Sequence, residues 1–350
     1  MRTSSSAPSA PSPTFLGEIA QPEQLDEAAE RALLDARAGH GLLAPYRSLD
    51  LHAEPWILVH GIHDAPSTLR GLADRILETK GRQVFFFFYD DSGRYLDRTG
   101  DDLARALAEV AQSTKGPVRL IAHSMGGVVA RAAMNSLVMP NWMPTHSAVN
   151  NEPLRGAEEA LALGLRLSKP MAHVFRRLDL VAIDTPWHGF TDVDVEVRNK
   201  MERQMSYVDI VASSTLMRTL TQVDLPSHFT INQIEADNAA GGKPQDKVVS
   251  LGEIDDEAFG ALVQYFSGDE HALSKHRRLE NQIRALEDEA DGPALIQSFK
   301  KEALAGRLNR ERYMEMTAQA VPRLSGCHVS ILEHPDLLPE IERTFERCGA

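Results

Sequence analysis

Five apolar runs recur along the chain: EPWILVHG (54–61), RQVFFFFYDD (82–91), VRLIAHS (118–124), RLDLVAIDTP (177–186) and HFTINQIEA (228–236). The first three are apolar through their centres instead of alternating with polar residues. A strand with one wet face alternates, whereas a strand covered on both faces does not. Helical patterns fill the first two gaps. Residues 65–81 carry Pro66 near the start and Gly81 as a stop, and residues 97–114 follow the second run. Strand–helix alternation of this kind predicts an α/β fold with a mostly parallel central sheet and helices on both faces. A last strand is expected around AVPRLSG (320–326) and a last helix over 335–347.

The remaining segments organise around that frame. Residues 1–22 are rich in Ser, Ala and Pro and read as a disordered N-terminal tether, and 23–38 as a short amphipathic helix. Residues 23–350 are expected to form one domain with helical insertions at about 139–176 and 252–320. The second insertion contains LENQIRALEDEA (279–290), where Leu279, Ile283 and Leu286 make one apolar seam. That seam fits a solvent-facing helical pair or a partner-binding helix. In either case the insertion is a candidate cap.

Charge narrows the partners. The 350 residues carry a formal net charge of −13 and no basic stripe, which excludes nucleic acid as an expected partner. It also disfavours electrostatic adsorption to anionic lipid, while peripheral membrane contact through an apolar flap stays open. Oligomeric state is not written in these patterns. Cys327 and Cys348 flank the last helical pattern, which at ~1.5 Å per residue would hold them roughly 20 Å apart, too far for a disulfide. No apolar run approaches the ~20 residues of a membrane span, and the N-terminus shown lacks a signal-peptide core. A cytoplasmic protein is expected on these residues. An envelope lipoprotein or secreted protein is the alternative if the precursor starts upstream.

The third run ends in LIAHSMGGVVAR (120–131), with small residues crowded about one serine. A strand that turns sharply into a helix and holds a strained serine at the turn needs almost no side chain two residues before and after it. Ala122 and Gly126 meet that need around Ser124. An acyl-transfer serine also requires donors for the developing oxyanion. Met125 N–H is one expected donor. The other is Ile62 N–H, in the loop VHGIHDAP after the first run, where Gly61 lets the backbone swing.

A serine hydroxyl needs a histidine to take its proton and a carboxylate to orient that histidine. His328, between the last strand and the last helix, is the expected base, and His334 at the helix entrance is its nearest rival. Asp246, in PQDKVVSLGE after a Gly-rich loop, is the expected acid; Asp184 in AIDTP is the alternative. His63, Trp187 and His188 are expected near the cleft mouth, with plain packing or exposure equally open. Neither a metal nor an organic cofactor is expected.

These segments carry a resemblance. The chain resembles the bacterial lipase/esterase branch of the α/β-hydrolases, near the PGAP1-like serine hydrolases. WILVHGI is similar to their oxyanion strand, AHSMGGVVAR to their nucleophile elbow and IDTPWHG to their T-P-x-x-G turn. QDKVV resembles their acid loop, with Lys247 in place of glycine, and CHVSIL their histidine loop. The likeness covers roughly 54–250 and 320–346. It implies the α/β-hydrolase fold, an acyl-enzyme on Ser124, and a small-molecule or lipid ester as substrate. An acyltransferase, thioesterase or amidase would share the machinery, and a non-catalytic binding protein could share the scaffold.

Overall fold

The computed structural model describes residues 40–62, 64–91, 93–140, 169–187, 214–236, 256–276, 292–309 and 328–347, with a few residues between these segments. Its strands are β1 (Leu42–Pro45), β2 (Glu54–Val59), β3 (Arg82–Phe88), β4 (Val118–His123), β5 (Leu178–Ile183), β6 (Phe229–Ala236) and β7 (Arg323–Leu324). They form one sheet in the order β1-β3-β2-β4-β5-β6-β7. Every neighbouring pair is parallel except β1–β3. Four residues are too few to reveal a period, so β1 carried no sequence signal of its own. All four of its residues are buried against Phe85–Phe88. The expected last strand is present as Arg323–Leu324, and the residues on either side of it lie outside the described residues.

The helices are α1 (Arg70–Leu77), α2 (Leu96–Ser113), α3 (Met125–Val138), α4 (Thr215–Thr219), α5 (Asp256–Phe266), α6 (Gly292–Leu304) and α7 (Leu337–Arg347). The expected helix at 65–81 divides into a 3₁₀ turn, Pro66–Leu69, and α1. Pro66 fits the first turn because the missing N–H would have had no helical acceptor there.

Alternate residues of each strand go to opposite layers. Ile57, Val59, Phe85, Phe87, Leu120 and Leu180 pack with α2 and α3. Trp56, Leu58, Phe86, Ile121 and Val181 pack with Leu72 and Ile76 of α1 and Ile341 and Phe345 of α7. Both faces of the sheet are therefore dry, which is why the central runs are apolar without alternation. Full burial of each such side chain contributes about 1.5–3 kcal/mol.

Polar groups close the edges. Asp102 on α2 is fully buried and accepts from the Gly41 N–H at 2.9 Å, with Arg94 Nη2 at 3.0 Å and Arg105 in direct contact. Burial alone would push this carboxyl up, but His40 and the two guanidiniums outweigh it and hold it below the usual carboxylate range.

A third, smaller core lies within the second insertion. Leu262 and Phe266 of α5, Ile296 and Phe299 of α6, and Tyr313 gather there, with Phe266 and Phe299 rings 5.1 Å apart. Leu279 and Ile283 are buried in this core, so that part of the apolar seam is covered from within the insertion. Leu286 lies outside the described residues.

Candidate active site

The register between β4 and β5 sets the geometry. His123 pairs with Ile183, so the next residues, Ser124 and Asp184, stand level at the C-terminal edge of adjacent strands. Each N–H still donates along the ladder, Ser124 to Ile183 O at 2.9 Å and Asp184 to Ile234 O at 2.8 Å. Both then leave the sheet with positive φ, 53° at Ser124 and 49° at Asp184. Ser124 has ψ −129°, a conformation that L-residues rarely adopt, and it caps α3. This turn throws the serine out of the ladder and aims the positive end of a 14-residue helix at it.

Close packing explains the small residues. A Cβ on Gly126 would lie 2.4 Å from the carbonyl oxygen of His60 and 2.6 Å from that of Val59, so α3 can approach the end of β2 only because that carbon is missing. A Cβ on Gly61 would come within 2.9 Å of the Ser124 Cβ. The loop carrying Ile62 therefore lies directly against the serine. Met125 N–H, in the first turn of α3, has no acceptor within its own helix.

His328 bridges the two strand ends. Its Nε2 is 2.8 Å from Ser124 Oγ, and its Nδ1 is 2.5 Å from Asp184 Oδ2. A carboxylate can only accept, so Nδ1 carries the proton and Nε2 is left to accept from the serine hydroxyl. Asp184 is 1% exposed, and its other oxygen accepts from Ala236 N–H at 3.3 Å. Ser124 is 5% exposed.

The structure thus brings together Ser124, His328, Met125 and the Ile62 loop. Among the described residues the carboxylate at His328 Nδ1 is that of Asp184, the alternative acid. Asp246 lies outside the described residues, as do His63 and His188. Trp187 is buried against the α2–α3 layer, and its indole N–H has no acceptor among the described residues. His334 stands apart from the serine, its Nδ1 accepting from Asp336 N–H at 3.1 Å at the entrance to α7.

Four side chains around the site carried no chemical signature in the sequence. His60 Nδ1 is 2.9 Å from the Gly61 carbonyl and its ring stacks on Tyr89 at 4.4 Å, while Tyr89 OH donates to the His60 carbonyl at 2.6 Å. Fixing the Gly61 carbonyl fixes the peptide plane that carries the Ile62 N–H. His123, 1% exposed, is 2.8 Å through Nε2 from the backbone carbonyl of His328. Asp64 faces His123 Nδ1 at 3.5 Å. Of these, His60 beside Gly61 and His123 beside Ser124 are the ones whose place in the sequence could have flagged them.

Among the described residues no group of three or more His, Cys, Asp or Glu side chains is gathered as a metal site would require. No described helix is long and apolar enough to cross a membrane.

No family model matches the chain, and no curated protein matches it in sequence. Solved structures do resemble it. The mature form of a Bacillus licheniformis lipase is 15% identical, with a TM-score of 0.43 and coverage of 87% of this chain and 97% of that one. Against the propeptide form of that lipase the likeness is 17% identical over 58% of this chain and 40% of that one, at a TM-score of 0.38. Aspergillus fumigatus lipase B is 12% identical with a TM-score of 0.38, over 89% of this chain and 68% of that one. The parallel sheet, its strand order and the strained serine between β4 and α3 make the architecture an α/β-hydrolase fold.

Proposed function

We propose that the chain is a serine hydrolase of carboxylic esters that works through an acyl-enzyme on Ser124. One observation carries the reading: His328 stands between Ser124 Oγ at 2.8 Å and Asp184 Oδ2 at 2.5 Å, with the serine held at φ 53°. His328 takes the hydroxyl proton as Ser124 Oγ attacks the ester carbonyl carbon. The N–H groups of Ile62 and Met125 receive the oxyanion, and α3 adds its dipole there. His328 then returns the proton to the leaving alcohol, and water repeats the sequence on the acyl-enzyme. Asp184 holds the imidazole in the working tautomer and stabilises the imidazolium.

The motifs AHSMGGVVAR and IDTPWHG support placing this activity in the lipase/esterase branch near the PGAP1-like hydrolases. The acid in our reading is Asp184, which follows β5, and not Asp246.

The test is hydrolysis of a series of p-nitrophenyl esters by wild type and Ser124→Ala. Loss of a triad serine is expected to lower kcat on the order of 10⁴-fold or more. A Ser124→Ala enzyme with more than about a tenth of wild-type kcat would move the nucleophile elsewhere.

A further inference from the structure

Behind the triad lies a second acid–histidine pair that the mechanism above does not use. His123 is the last residue of β4, its ring 1% exposed and 4.7 Å from the ring of His328. Its Nε2 faces the His328 carbonyl oxygen at 2.8 Å, and because a carbonyl only accepts, that nitrogen must carry a proton. Its Nδ1 has no hydrogen-bond partner among the described residues, and Asp64 Oδ2 lies 3.5 Å from it.

Asp64 belongs to the loop that carries Ile62. It lies close enough that a Cβ on Gly61 would meet its Oδ2 at 3.1 Å. Burial raises the Asp64 carboxyl, but His123, His60 and Thr68 together outweigh it and hold the group below the usual carboxylate range. It is therefore a carboxylate facing a buried ring.

We propose that Asp64 and His123 are positioning residues that lock the oxyanion loop and the His328 loop to each other across the Ser124 elbow. His123 fixes the main chain of His328 by its carbonyl, and Asp64, 3.5 Å from the same ring, packs the Ile62 loop against it. Neither touches substrate. Their action is on the distance between base, nucleophile and oxyanion donors, where an error near 1 Å costs on the order of 10²-fold in rate. The proposal rests on the reading of Ser124, His328 and Asp184 as a working triad.

The test is steady-state ester hydrolysis with Ser124 labelling by a fluorophosphonate, on wild type, His123→Leu, His123→Gln, Asp64→Ala and the double variant Asp64→Ala/His123→Leu. His123→Leu is expected to lower kcat about 10- to 100-fold, leaving KM within about three-fold. His123→Gln, which keeps a donor near the Nε2 position, is expected to recover to within about five-fold of wild type. The double variant should be no slower than His123→Leu alone, because both changes break one unit. Wild-type kcat in His123→Leu, no recovery in His123→Gln, or additive losses in the double variant would each overturn the proposal. Should His123→Leu fail to fold, Asp64→Ala decides: a several-fold fall in kcat supports the lock, and an unchanged kcat overturns it. A wild type that is neither active nor labelled would remove the triad reading and the lock together. An active, labelled wild type with insensitive variants removes the lock alone.

Discussion

Ser124 and Asp184 are neighbours across the β4–β5 ladder, each the first residue beyond its strand and each at positive φ. That pairing places a hydroxyl and a carboxylate at the distance one imidazole can span. His328, arriving from the loop before α7, spans it. The proposed nucleophile and acid are thus set by strand register, and only the proposed base depends on a distant loop.

Asp184→Asn is expected to lower kcat by about 10⁴-fold near neutral pH while the protein stays folded, because the amide favours the wrong imidazole tautomer. Asparagine suits the test, since it tolerates the φ of 49° found there. Asp246→Asn is expected to retain activity. Parallel kinetics and circular dichroism on the two variants check both, and the reverse pattern would return the role of acid to Asp246.

The two serine replacements separate strain from chemistry. Ser124→Gly and Ser124→Ala both lose the hydroxyl, but only glycine is at ease at φ 53°, ψ −129°. Ser124→Gly is expected to be more stable than Ser124→Ala by about 1 kcal/mol. Chemical denaturation of the pair measures it, and equal stability would mean the turn is unstrained.

Gly126→Ala should be disruptive although it adds one methyl group. Its Cβ would meet two backbone carbonyl oxygens at 2.4 and 2.6 Å, and neither can rotate away as a side chain could. The expected cost is about 1–3 kcal/mol of stability with a fall in kcat, read from urea unfolding and ester hydrolysis. An unaltered unfolding midpoint would contradict the packing of α3 on β2.

Acid stability should depend on Asp102. Its folded pKa is lowered, so its contribution is fully present above the unfolded value of about 4 and is lost as pH falls through the folded value. Asp102→Asn should therefore lower stability at pH 7 and flatten the dependence on pH below about 4. Thermal melts from pH 7 to pH 3 test this, and parallel curves for variant and wild type would contradict it.

How much of this was legible follows from where each residue sits. Ser124, Met125 and the Gly61–Ile62 turn are local: the crowding of small residues records a close approach, and it can be read in six or seven letters. His328 was legible from chain order, since it falls between the last strand and the last helix. The acid was legible only as two candidates. Asp184 ends an apolar run and Asp246 follows a Gly-rich stretch, and what brings Asp184 beside His328 is the lateral register of β5 beside β4, a non-local fact. Likewise His123 reads as one more residue of a strand, and its partners are Asp64, 59 positions earlier, and His328, 205 positions later. The four-residue β1 had too short a pattern to be distinguished from a loop.

In the proposed mechanism His328, oriented by Asp184, makes Ser124 Oγ the reacting atom. The most direct measurement is fluorophosphonate labelling followed by mapping of the modified peptide in wild type, His328→Ala and Asp184→Asn. One adduct is expected, on Ser124, formed quickly in wild type and slowed by orders of magnitude in both variants. An adduct on another residue, or a Ser124 adduct formed at the same rate in all three proteins, would contradict it.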